Sequence, residues 1–126
     1  MVVRLYDQNS YLSATDLNRI EENIYTCYNL VFGEGVPVTN VRTFTDILTA
    51  EDLNRIEGCI LDMWKLTQDA YEKPKTNWKA GDSISYVDLN RIEMNIKAIY
   101  ETYSKGGKVE IIYPGAINKY LAQQFL

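Results

Sequence analysis

The chain has 126 residues, 46% apolar and 24% charged, with a formal net charge of −4. That length suits one domain with a real core and no need of staples, and the composition is that of an ordinary soluble globular protein. The acidic balance, with no local Lys/Arg cluster, excludes a phosphate-binding face, so nucleic acid is not expected as a direct ligand.

In chain order, residues 1–12 carry Tyr6 and Tyr11 among polar neighbours and read as a lead-in. Ser13 then stands three residues before Asp16, an arrangement that closes a helix start: the hydroxyl accepts from the N3 amide while the acid at N3 reaches back. Asp is shorter than the usual Glu at N3, so a weaker return bond is expected. Leu17, Ile20, Ile24, Cys27 and Val31 follow at spacings of three and four, which predicts an amphipathic helix over 14–31, stopped by Gly33 and Gly35. The next segment, Val36 to Phe44, is β-branched and reads as a short extended piece.

Thr49 and Asp52 repeat the start, and Leu53, Ile56, Ile60 and Met63, then Thr67, repeat the stripe. A second helix is predicted over 50–72, ending before Pro74. Gly58 inside it weakens it by up to ~1 kcal/mol relative to Ala and is small enough for a close helix approach. Lys73 to Ser83 holds Trp78 and the turn Ala80-Gly81-Asp82. Ser85, Asp88, Leu89, Ile92, Ile96, Ile99 and Tyr103 predict a third helix over 86–104, stopped by Gly106-Gly107. Tyr28, Trp64 and Tyr100 close the same point of each helix and read as core-edge packing. Lys108 to Tyr113 reads as a strand halted by Pro114-Gly115, and Ala116 to Phe125 as a short helix that caps the core or docks on a partner.

These three stretches share one hexapeptide, Asp-Leu-Asn-Arg-Ile-Glu, at 16–21, 52–57 and 88–93, with 52 − 16 = 36 and 88 − 52 = 36. A strict period in this range is the mark of a repeat architecture. One helix per unit argues against a solenoid, which at this period stacks two. The expected fold is therefore mainly α: a single domain, 1–126, of three 36-residue repeats packed as a pseudo-threefold three-helix bundle, with a C-terminal extension over 108–126.

Apolar identity among the copies follows from a shared core. Identity of Asn18, Asn54 and Asn90, of Arg19, Arg55 and Arg91, and of Glu21, Glu57 and Glu93 asks for a contact that recurs. Either an Arg of one copy pairs with a Glu of the next while Asn bonds the entering connector, or the three sets form partner-binding sites; charges beside an a/d seam ordinarily set register and partner choice, which favours the first.

Chemistry is poorly provided for. Histidine is absent, which removes the commonest acid–base group. Cys27 and Cys59 make no disulfide framework and, lacking histidine, no zinc set; they read as small buried hydrophobes. No phosphate loop, nucleophile elbow or metal-ligand spacing occurs, and the carboxylates sit where helix starts and repeated surfaces account for them, so no catalytic, cofactor or metal residue is assigned. Met1 to Asp7 lacks a signal-peptide core and no apolar run nears the ~18 residues of a membrane span, so cytosolic residence or non-secretory exit is expected.

The motif carries a resemblance. Trp78-Lys79-Ala80-Gly81-Asp82-Ser83-Ile84-Ser85, running into Asp88-Leu89-Asn90-Arg91-Ile92-Glu93-Met94-Asn95-Ile96, resembles a segment of bacteriophage and prophage tail, baseplate and receptor-binding-associated proteins of Gram-positive hosts. The first copy keeps Asn23-Ile24 but lacks the Trp turn, and the second has Cys59 for that Asn. In those relatives the motif usually occurs once per chain, so three copies here suggest a trimer imitated in cis. The resemblance implies a non-enzymatic structural or assembly protein whose partners are other phage structural proteins, located in the cytoplasm during assembly or in the virion. The alternative is a cytosolic adaptor that binds a protein or peptide through its repeated helical surfaces; a carbohydrate-binding or hydrolytic protein ranks last. No membrane and no small-molecule substrate is inferred.

Overall fold

The computed structural model describes residues 1–33, 43 and 48–115. In order they form β1 (Val2–Arg4), α1 (Ala14–Phe32), α2 (Ala50–Trp64), α3 (Tyr86–Tyr103) and β2 (Glu110–Ile112). The described residues are mainly helical, with three helices and one short two-stranded parallel sheet. The expected extended piece at Val36–Phe44 and the C-terminal helix at Ala116–Phe125 lie outside the described residues.

All three helices open the same way. Ser13, Thr49 and Ser85 are N-caps whose hydroxyls accept from the amides of Asp16, Asp52 and Asp88 at 3.1, 3.1 and 3.4 Å. The return bonds to the cap amides measure 3.0, 3.0 and 2.9 Å, so Asp at N3 closes the box with bonds of ordinary length. Leu12, Leu48 and Ile84 precede the caps, with Leu17, Leu53 and Leu89 four residues after them, the positions of a hydrophobic staple. The first helix ends at Gly33, whose φ of 76° only glycine adopts without strain and whose N–H bonds Asn29 O at 2.8 Å.

The second helix is shorter than predicted. It stops at Trp64, and residues 65–72 are not helical although Pro74 is the first sequence breaker. The Thr67 hydroxyl turns back to Met63 O at 2.7 Å, Asp69 takes a left-handed φ of 61°, and Glu72 is drawn against α3, its carbonyl accepting from Asn95 Nδ2 at 2.6 Å. Tertiary docking of the connector outcompetes continuation of the helix. A Cβ at Gly58 meets nothing within 4 Å, so the close helix approach expected there does not exist.

Every helix touches the other two. Ile20, Ile24 and Cys27 of α1, Ile56, Ile60 and Met63 of α2, and Ile92, Ile96 and Ile99 of α3 make one core with Val3 and Trp78. Each side chain fully buried there contributes ~1.5–3 kcal/mol. Contacts between equivalent heights set the direction. The hexapeptides meet near the N-terminal turns, while Tyr103 donates to Leu66 O at 2.8 Å near the C-terminal ends, so the helices run parallel. The connector from α2 to α3 therefore returns along the bundle: Glu72 lies by Asn95, then Lys75 by Glu57, then Trp78 by Asn54.

The segment before α1 follows a like path. Val2, Arg4 and Tyr6 lie in turn by Asn23, Glu93 and Asn90. Residues 2–4, read from sequence only as a lead-in, are the strand β1, and Val3 is wholly buried. The strand after α3 pairs with β1 in parallel, Val2 opposite Glu110 and Arg4 opposite Ile112, within the stretch 108–113 expected to be extended.

Candidate functional site

Of the nine repeated polar residues, the three Arg and three Glu are brought together between helices, and Asn54 and Asn90 hold the lead-in segments. Arg91 of α3 grips Glu57 of α2 with Nε and Nη2, both 2.8 Å from the carboxylate oxygens. Arg55 of α2 pairs with Glu21 of α1, and Arg19 of α1 with Glu93 of α3. Each Arg thus meets the Glu of the preceding copy, and the first copy meets the third, so three ion pairs close a ring. The sequence expectation had the Arg reaching forward to the following copy; the chain order is the reverse, and the two described lead-ins, to α1 and to α3, cross α3 and α2 respectively before entering their own helices.

The Glu carboxylates are 0–3% exposed, so these are not surface pairs. A buried charge demands several donors, and two sites supply them in matching fashion. At Glu57, Trp78 Nε1 donates at 2.6 Å and the Lys75 amide at 3.1 Å, beside the Arg91 fork. At Glu93, the Tyr6 hydroxyl and the Arg19 guanidinium both reach Oε2, and the Arg4 amide donates to Oε1 at 3.2 Å.

Asparagine completes the joints at Glu57 and Glu93. Asn54 accepts from Trp78 N at 2.8 Å and donates to Trp78 O at 3.0 Å; Asn90 accepts from Tyr6 N at 2.7 Å and donates to Tyr6 O at 3.0 Å. A side-chain amide offers a donor and an acceptor on separate atoms, which suits the N–H and C=O of one residue of an extended strand. Asn18 and Glu21 are engaged too. Cations cover the aromatic rings: Lys75 Nζ lies 3.9 Å from the Trp78 centroid and the Arg4 guanidinium 4.6 Å from that of Tyr6.

Asp16 and Asp88 have two duties. Besides closing the caps, they hold Arg19 and Arg91 at 2.8 and 2.9 Å, and Asp16 takes Arg4 as well at 2.7 Å. Burial opposes their ionisation, but at Asp16 the bonds from Arg19 and Ser13 with the charge of Arg4 outweigh it. At Asp88 the Ser85 amide and Arg91 do so, and both carboxyls titrate below the ordinary value. Burial dominates at Glu93 and lifts it above the ordinary carboxyl value despite Arg19 and Tyr6. Burial, then Glu93 itself, raises the Tyr6 phenol, which stays a proton donor. Cys27 is a buried thiol pushed up to about 12 by burial, and Cys59 is a half-buried free thiol.

Tyr6 and Trp78 are site residues that the sequence reading missed. The signal was present, since 18 − 6 = 12 and 90 − 78 = 12, but the same offset from Asn54 falls on Arg42 and hides the pattern.

At the N-terminal end of the helices, Leu12, Leu48 and Ile84, each four residues before its Asp, line a hollow of about 380 Å³ with Leu53, Trp78 and the 79–82 turn. Among the described residues no group of His, Cys, Asp and Glu could hold a metal, and no helix is long and apolar enough to cross a membrane. In comparisons with family models, curated proteins and solved structures, nothing matches the chain.

Proposed function

We propose that the protein is a non-enzymatic structural or assembly protein of phage or prophage origin, tail or baseplate associated, that works through contacts with other phage structural proteins. The observation that carries this reading is how the motif's polar residues are spent. Each Arg pairs with the Glu of another copy, and each described aromatic lead-in docks on a helix of another copy. One copy alone leaves a buried-type carboxylate, an amide and an apolar seam without partners, so the motif is by construction a device for joining copies. That is the behaviour expected of a segment resembling single-copy pieces of multi-chain virion parts. On this reading the bundle is pseudo-threefold and does in one chain what three single-copy chains do together. Light scattering should then find no obligate trimer of the full chain.

The test of the role is direct. A lysogen that carries the gene is induced, and particles are banded on a density gradient and analysed by mass spectrometry. The protein should co-band with tails or complete virions. Recovery only as free protein at the top of the gradient overturns the assignment.

The second reading, a cytosolic adaptor, is favoured by the apolar hollow at the N-terminal end. It would admit one aliphatic or aromatic side chain of a protein or peptide, with exposed Tyr86 and Val87 nearby in sequence on the α3 start. Leu48→Lys, which charges the rim, should abolish such capture while leaving the ring of ion pairs intact.

A further inference from the structure

The ring of helices has three joints, and only two are covalently bridged. The chain itself links α1 to α2 and α2 to α3, whereas α3 and α1 are held by contacts: Arg19 with Glu93, and the first six residues laid on α3. Those six residues are held on α3 and β2 and also on α1, where Asp16 takes Arg4 at 2.7 Å and Asn23 donates to Val2 O at 2.7 Å; the α1 of an identical chain offers the same two partners. Val3 is wholly buried, Tyr6 is bonded to Glu93 and Asn90, and β1 pairs with β2.

The hinge that follows them has the opposite character. Asp7, Gln8 and Asn9 are exposed, and Asp7–Ser10 folds as a turn closed by its own short-range bonds, Ser10 N to Asp7 O at 3.0 Å and Asn9 N to Asp7 Oδ1 at 2.9 Å. Water replaces those bonds when the turn straightens, and no core contact is lost. Tyr11 beyond it is 86% exposed. An arm with buried, specific contacts on a polar, self-contained hinge meets the physical requirement for exchange between identical chains, because the exchanged contacts are the same ones.

We propose that Met1–Tyr6 is an exchangeable arm, seated on α3 of its own chain in the monomer and on α3 of a second copy in a reciprocal dimer. The partner is fixed by chemistry. An empty α3 joint presents Asn90 and Glu93 at the spacing of one aromatic residue in an extended strand, with room beside it for a parallel neighbour of β2 and a small apolar side chain at the position of Val3. The arm of another copy offers all of these. Straightening residues 7–10 lets it reach across, and Arg19 stays with Glu93 of its own chain. The proposal stands apart from any virion role, since it concerns the isolated protein.

The test uses full-length chains in a Cys59→Ser background. Val2 and Glu110 face each other across β1 and β2, at a strand spacing within the reach of a disulfide. Chains with Val2→Cys and chains with Glu110→Cys are mixed, unfolded, refolded together at high concentration and oxidised. A covalent heterodimer linked 2 to 110 is the expected product. Its absence, where a chain carrying both substitutions closes within itself, overturns the proposal. If that double variant does not oxidise, a second variant decides. Deleting Gln8 and Asn9 shortens the hinge so that the arm no longer reaches its own α3. Light scattering should then move from 14.5 kDa to twice that mass, and a chain that stays monomeric overturns the proposal.

Discussion

At the scale of single residues, the molecule spends its charges inward. Glu57 receives the Arg91 fork, the Trp78 indole and the Lys75 amide, so its removal strands two donors and a buried guanidinium. Glu57→Ala should cost about 3–5 kcal/mol in a denaturant titration. Lys97→Ala, which breaks only the exposed pair with Glu101 at 2.6 Å, should cost no more than about 0.5 kcal/mol. Equal losses would mean that the carboxylate is solvated. The pH dependence has two limbs of opposite sign. Asp16 and Asp88 have depressed folded values, so their contribution is complete above the unfolded value of about 3.9 and disappears as pH falls through the folded ones. Glu93 has a raised folded value, so its contribution is complete below the unfolded value of about 4.3 and is lost as pH rises through the folded one. Urea midpoints should therefore peak on the acid side of neutrality. Glu93→Gln should flatten the fall toward neutral pH and leave the acid limb in place.

At the scale of elements, the sequence was most informative where the structure is local. The three helix starts are legible because cap, acid and first apolar residue lie within five positions of one another, and all three form as read. The end of α2 was not legible. Nothing between Lys65 and Lys73 breaks a helix, and only the pull of Asn95 on Glu72 shows why the chain leaves it. β1 was hidden for a related reason: Val2-Val3 is too short a run to announce a strand, and the strand is held by distant partners such as Glu93 of α3, 89 residues from Arg4. The candidate residues Asn, Arg and Glu stood out by repetition, whereas their aromatic partners did not, because Arg42 interrupts the series. Gly58 offers a check on an element. Since a methyl group there meets open space, Gly58→Ala should stabilise the protein by up to about 1 kcal/mol through helix propensity alone, raising the melting temperature by a few degrees. A loss of stability would show that the glycine is needed for contact.

At the scale of the whole molecule, the closing pair between Arg19 and Glu93 changes how the chain comes apart. In a linear array each unit leans on its neighbours and the outermost units fray first. Here no unit is outermost. Loss of any one helix removes partners from both others, leaving a buried Glu on one side and an Arg on the other. Partial unfolding therefore has no inexpensive starting point, and opening events should be global. Amide exchange in α1, α2 and α3 should converge on a single free energy, equal to that of complete unfolding. Graded protection, with α1 or α3 opening well before α2, would show that the circle is not closed in solution. A three-part chain joined end to end by one ion pair and six residues should thus lose its structure in one step, the way a hoop fails when any stave is drawn.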